Sequence, residues 1–129
     1  MRVKPPGKGC AFLKMGDLMF YKSDNSSYKQ ALEGIELKTL VYGEKTLLTE
    51  FRLEGEARLP RHSHPYEQTG YLVSGRVRLF IGEESFEAEP GDSWCIPSHV
   101  EHGAEILADA IAIEVFSPVR EDYLPEKVV

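Results

Sequence analysis

The sequence predicts an all-β domain of the jelly-roll type, a double-stranded β-helix, and three observations carry the prediction. From Ile35 onward, short runs rich in Val, Ile, Leu, Phe, Tyr and Thr are separated by Gly, Pro and acidic residues. No segment sustains a helical period. About eight or more such runs fall in a chain of 129 residues, which is large enough for one core and too short for two.

The first 34 residues are weakly patterned and read as an N-terminal arm. Within it, Leu18–Tyr21 is apolar enough to pair with a sheet edge of this subunit or a neighbour's. Ser26–Leu32 is the best candidate for a short helix, with Asn25 or Ser26 as its N-cap. The barrel is expected over 35–117. Ile35–Tyr42 alternates apolar and polar residues, Gly43-Glu44-Lys45 turns the chain, and Thr46–Leu53 alternates again before Gly55, so these two strands form a hairpin. Gln68–Ser74 and Arg76–Ile81 read as two strands flanking Gly75, and Ser85–Ala88 follows the turn at Gly82-Glu83-Glu84. After Pro90-Gly91-Asp92 a short strand covers Ser93–Ile96 and stops at Pro97; Gly103–Leu107 and Ala110–Phe116 complete the set. In the last strand Ala110, Ala112, Glu114 and Phe116 alternate with Ile111, Ile113 and Val115. The branched residues are expected on the packed core side, with Ala, Glu and Phe facing a small cavity. Residues 118–129 read as a C-terminal tail.

Charge and composition narrow the function. The net charge of −6 and the dispersal of 15 Lys and Arg along the chain leave no basic stripe for nucleic acid. No apolar stretch has membrane length, and the apolar run Ala11–Leu13 is too short for a signal-peptide core, so a cytoplasmic protein is expected. Cys10 and Cys95 fit no disulfide framework or zinc pattern and read as ordinary thiols, with Cys95 a buried hydrophobe. Tyr71, Phe80 and Trp94 read as packing residues.

All four histidines fall in two windows, His62 and His64 in HSHPYEQ and His99 and His102 in IPSHVEH. Imidazole is the commonest metal ligand among side chains, and a pair at i, i+2 on an extended segment shares one face. Gln68 keeps that parity if the strand continues. Glu67, the alternative donor beside it, points to the other face.

The spacing carries a resemblance. Gly55, six residues, His62, one, His64, three, Gln68, six, Gly75 is followed by Gly91, five residues, Pro97, four, His102. Together these resemble the two signature motifs of the cupin superfamily over roughly Ile35 to Arg120. The resemblance implies a cupin barrel in which His62, His64, Gln68 and His102 hold a divalent metal. Gln68 stands where glutamate is usual, His99 where glycine is usual and Ile106 where asparagine is usual; His99 is expected at the pocket rim. Neutral imidazole and amide donors suit Zn, Ni, Fe, Mn or Co without selecting among them. They also leave the cation its full charge, which favours an anionic small-molecule substrate.

HSHPYEQTGYLVSG followed by IEVFSPVREDYL is further similar to a subgroup of small cupins that includes the pectin-degradation protein acting on 4,5-unsaturated uronates. That likeness implies a lyase or isomerase-type enzyme in which Glu114 moves a proton, Arg120 orients the substrate carboxylate and Phe116 packs on the sugar ring. Glu114 replaces a shorter aspartate. A ferrous cupin dioxygenase and a non-catalytic sugar-acid binding or sensing module are the alternatives. A symmetric homodimer is expected from the unpaired N-terminal strand and an open sheet edge.

Overall fold

The computed structural model describes residues 3–4 and 18–124. The strands are β1 (Val3–Lys4), β2 (Phe20–Tyr21), β3 (Lys29–Leu32), β4 (Ile35–Tyr42), β5 (Leu47–Leu53), β6 (Arg58–His62), β7 (Glu67–Ile81), β8 (Glu84–Ala88), β9 (Ser93–Ile96) and β10 (His102–Ser117). A 3-10 turn at Glu121–Tyr123 is the one helical element among the described residues. No helix among them is long and apolar enough to cross a membrane.

The long strands β7 and β10 organise the others. They pair antiparallel from His102↔Ile81 to Ser117↔Glu67. The first part of β10 also pairs with β6 and its second part with β5. Likewise the first part of β7 pairs with β9 and its second part with β8. One layer therefore runs β3-β4-β5-β10-β7-β9 and the other β6-β10-β7-β8, with both long strands passing between layers. This is the expected jelly roll. Its interior is filled by Ile35, Leu37, Leu47, Phe51, Leu72, Val77, Leu79, Ile106 and Phe116, each under 9% exposed.

Gly75 marks the crease. Its φ is +88°, and a Cβ there would lie 2.2 Å from the Asp109 carbonyl oxygen and 2.5 Å from Ala110 Cα. Opposite it, the register of β10 slips between Ile106 and Ala112. Glycine and bulges bend a ladder without ending it. For that reason the two strands expected on either side of Gly75 are one strand, and Gly103–Leu107 and Ala110–Phe116 are likewise one.

Three other expectations change. Ser26–Leu32 is not a helix: Lys29–Leu32 pairs with β4 through Lys29↔Leu37 and Leu32↔Ile35, across a turn with Gly34 at φ +78°. All four β3 residues are exposed, so no apolar face existed for a helix to bury, while the sheet edge satisfied their backbone groups. Before β3, Asp24 accepts from the Ser26 amide at 2.7 Å and hydroxyl at 2.6 Å, a local turn rather than a cap. On β10, Ala110, Ala112, Glu114 and Phe116 do face inward, but Ile111, Ile113 and Val115 are half-buried on the outer sheet face rather than in the closed core. Small Ala side chains suit the narrow interior beside Gly75, whose built Cβ would also lie 2.5 Å from Ala110 Cβ. Cys95 is exposed, because inward positions of the edge strand β9 go to Trp94 and Ile96; Cys10 lies outside the described residues.

Of the stretch expected to pair with a sheet edge, Phe20–Tyr21 pairs in parallel with Val3–Lys4. The segment leading to β3 is anchored by Lys38, which is 2% exposed and reaches Asp24 Oδ1 at 3.0 Å with the Tyr21 and Tyr28 rings about its ammonium.

Gly75→Ala should cost at least ~3 kcal/mol, because it combines a strained positive φ with backbone overlap. Gly43→Ala, where a new Cβ meets nothing within 4 Å and φ is not left-handed, should be neutral or stabilising by up to ~1 kcal/mol. Urea unfolding midpoints of the two variants check this pair.

Candidate metal centre

Four chain segments bring the predicted ligands together. His62 is the last residue of β6, His64 lies in the connection that follows, Gln68 is the second residue of β7 and His102 opens β10. His102 and His62 are register partners across the β6–β10 pair. Strand alternation is therefore not what groups His62 with His64, since β6 ends between them; the reversal from β6 into β7 does it. The His99 amide donates to the His64 carbonyl at 2.8 Å and ties that connection to the loop before β10. One imidazole nitrogen from each of His62, His64 and His102 lies within 4.8 Å of the others.

The hydrogen bonds fix which nitrogen that is. Each Nδ1 lies against a backbone carbonyl: His62 with Pro60 at 2.9 Å, His64 with Tyr66 at 3.1 Å and His102 with Val100 at 2.8 Å. A carbonyl only accepts, so each Nδ1 carries the proton and each Nε2 presents a lone pair. His102 Nε2 is sealed and without a hydrogen-bond partner among the described residues. Gln68 Oε1 lies 3.0 Å from His64 Nε2, so two acceptors face one another. The Gln68 amide is held that way round because its nitrogen donates to Glu114 Oε1. Only a proton or a cation relieves such a contact. A proton is disfavoured: burial first, and then the Arg120 charge, lower the pKa of His64, and burial pushes that of His102 down to about 4. Converging neutral donors with carbonyl-anchored outer nitrogens fit a divalent metal, and the three histidines can hold one.

Glu114, 9% exposed, lies beside this cluster and also accepts from the Trp94 indole at 3.1 Å. Burial raises its pKa. Its backbone carbonyl accepts from the buried Thr49 hydroxyl at 2.9 Å, which fixes the strand at that point. Phe116 is 1% exposed, with its ring centroid 5.9 Å from that of His64. Arg120 is held among three rings, 3.9 Å from the Tyr123 centroid and 5.0 Å from those of Tyr66 and Phe116. Asp122 takes its guanidinium fork at 2.8 and 3.2 Å. Residues 120–124 thus pack on the barrel mouth, with the Tyr123 carbonyl accepting from Thr39. His62, Gln68, Trp94, His102, Glu114, Phe116 and Arg120 all line one cavity.

Glu67 points outward and is exposed, as its parity required. His99 is exposed, is not in the metal cluster and does not line the cavity, so the structure does not place it on the rim. Its φ of +64° is one that glycine adopts without strain. Sequence reasoning missed Trp94 as a polar partner of Glu114; for Arg120, a loop cation with Glu121 and Asp122 as the acids beside it in sequence, the structure selects Asp122 as the partner. The strand turns Trp94 and Ile96 inward and Cys95 outward, the reverse of the expected burial of Cys95, and nothing local showed which acceptor the indole N–H meets.

Because His64 and His102 have folded pKa values below the ordinary 6.5, the unfolded chain binds more protons in the window below that value. Metal-free protein should therefore lose stability as pH falls from about 6.5 toward about 4. Glu114 acts with the opposite sign, since its raised pKa adds folded-state protons above the ordinary carboxylate range. The His102 contribution is isolated by difference: His102→Gln should flatten the fall in urea midpoint across this window relative to the unmodified chain.

Comparison with known proteins agrees with this geometry. The chain is similar to the KdgF structure from Halomonas sp., at 29% identity and a TM-score of 0.73, covering 77% of this chain and 92% of that one. It is similar to an RmlC-like cupin from Shewanella frigidimarina at 26% identity and a TM-score of 0.73, covering 76% and 88%. A salicylate 1,2-dioxygenase variant from Pseudoaminobacter salicylatoxidans, at 15% identity and a TM-score of 0.65 over 68% of this chain and 27% of that one, shares the fold alone. No curated protein sequence matches the chain. The cupin domain model matches residues 49–117, the stretch that contains the three histidines, Gln68 and Glu114. By that match, over half of its length, the chain belongs to the cupin superfamily.

Proposed function

We propose that this cupin is a metal-dependent enzyme that converts a small unsaturated uronate, or a related sugar acid, to its linear keto form. The observation that carries the reading is the placement of Glu114, a buried carboxyl bonded to the same amide that faces the imidazoles, on the cavity shared with Arg120. The likeness to KdgF at 29% identity supports the substrate class.

His62, His64, Gln68 and His102 would hold the metal, which when bound supplies Lewis-acid polarisation of a substrate oxygen. Glu114 takes the proton of the anomeric hydroxyl. The anomeric carbon becomes a carbonyl as its bond to the ring oxygen breaks, and the electron pair passes through that oxygen into the enoate. Glu114 then returns its proton to the ring carbon of the former double bond, so atoms and charge balance in an isomerisation. Burial, which raises the Glu114 pKa, helps it keep the proton between the two steps. Arg120 takes the substrate carboxylate in exchange for Asp122, whose side chain is 55% exposed and free to swing out. Phe116 supports the guanidinium and offers its ring as an apolar wall to the sugar.

Loss of the conjugated enoate's ultraviolet absorbance should accelerate with metal-loaded protein. Glu114→Gln should keep the metal and lower kcat on the order of a hundredfold or more. No acceleration on several uronates removes the reading, and oxygen uptake by the iron-loaded protein would favour the dioxygenase instead.

A homodimer accompanies this reading. Ile111, Ile113 and Val115 are half-buried on the outer face of β10, beside Tyr71 and Val73 at 49% and 46% exposure on β7, an apolar face suited to a second copy. Light scattering should give twice the chain mass; a monomer at micromolar concentration counts against it.

A further inference from the structure

We propose that Trp94 is a positioning residue for Glu114, whose indole N–H dedicates one carboxylate oxygen to the scaffold and leaves the other to the substrate. The inference rests on the reading of Glu114 as the proton carrier.

Three adjacent strands create the arrangement. Glu114 on β10 is the register partner of Gly70 on β7, and Gly70 is the register partner of Trp94 on β9. The three positions form one row, and Glu114 and Gly70 in it are buried toward the interior. Two strand spacings separate its ends by roughly 9.6 Å, which only a long side chain lying along the row can span. Gly70 makes that path available. A Cβ at this position would lie 2.3 Å from both Trp94 Nε1 and Cε2 and 2.5 Å from Cζ2, so the indole occupies the space a side chain would take. Glycine inside a strand is unfavourable unless something approaches closely, and here the approaching group is the indole.

Crossing Gly70 brings Trp94 Nε1 to Glu114 Oε1 at 3.1 Å, the same oxygen that accepts from the Gln68 amide. Oε2 accepts no hydrogen bond among the described residues, and it is not among their sealed, partnerless side-chain atoms, of which His102 Nε2 is the only one. It therefore opens on the cavity that Glu114 lines. Two donors on one oxygen hold the carboxylate plane in a single orientation. The indole cannot take a proton at neutral pH and so stays out of the transfer while fixing where it occurs.

The chain has one tryptophan, so its fluorescence reports this indole alone. In the metal-loaded full-length protein, Trp94→Phe keeps a ring and removes the donor. It should lower kcat on the order of tenfold to a hundredfold, the worth of one hydrogen bond to a carboxylate, with KM and bound metal unchanged. Gly70→Ala keeps the indole but unseats it, and should lower kcat similarly while shifting the emission maximum. Glu114→Leu should shift the emission of the same indole whether or not any substrate is turned over. An unchanged emission in Glu114→Leu, or a folded Trp94→Phe variant with kcat within about threefold of the unmodified chain, overturns the proposal. Equal losses in kcat, KM and bound metal would show a merely structural role and overturn it too. Inactivity of the unmodified protein on every uronate removes instead the functional reading beneath it.

Discussion

The antiparallel pairing of β7 with β10 is the constraint on which the rest of this molecule depends. It places Gln68 opposite Phe116, Gly70 opposite Glu114 and Ile81 opposite His102, so one register decides which side chains meet inside the roll. A slip of one residue would turn Glu114 and Phe116 to the outside and bring Ile113 and Val115 in. The register is pinned where the strands crease, because Gly75 packs directly on the backbone of Asp109 and Ala110. A residue far from the chemistry thereby sets the chemistry's geometry.

Within that frame the site concentrates groups that repel one another unless something is supplied. Three imidazoles turn lone pairs inward, each held in its tautomer by a carbonyl outside the cluster, and an amide oxygen joins them. Desolvation lowers the pKa of His64 and His102 and raises that of Glu114. The environment thus favours uncharged donors and a carboxyl that holds its proton more readily than in water, while Arg120, stacked among three aromatic rings, brings fixed positive charge to the mouth. A divalent cation held by neutral ligands, like the guanidinium nearby, would favour an anion. Asp122 holds the guanidinium through two hydrogen bonds, so an anion reaching Arg120 would have to displace it.

Much of this was legible in the chain. Gly, Pro and alternation located the hairpin of β4 and β5, and the short strands β8 and β9 appear almost where they were expected. The motif spacing picked out His62, His64, Gln68 and His102, although the reason first offered for grouping His62 and His64, alternation on one strand, does not hold because β6 ends at His62. The misreadings share a cause. Gly75 looked like a break, Ser26–Leu32 like a helix and Ile111, Ile113 and Val115 like a closed core, and in each case a neighbouring strand invisible to local pattern decided the outcome. Trp94 is the instructive case: it read as a packing residue beside a buried Cys95, whereas the strand turns Cys95 out and Trp94 in, and its role follows from Gly70 and Glu114, on two other strands.

The amino-acid order by itself determined the strand-forming runs, their turns and the donor types available for a metal, because those depend on side-chain shape, backbone freedom and chemistry within a few residues. Which donors share a lone-pair cluster, which oxygen of Glu114 faces the cavity, and that the Tyr66 ring comes to lie on Arg120 were decided only by tertiary structure. Those outcomes depend on contacts between residues tens of positions apart, and on the burial those contacts create; no local pattern encodes either.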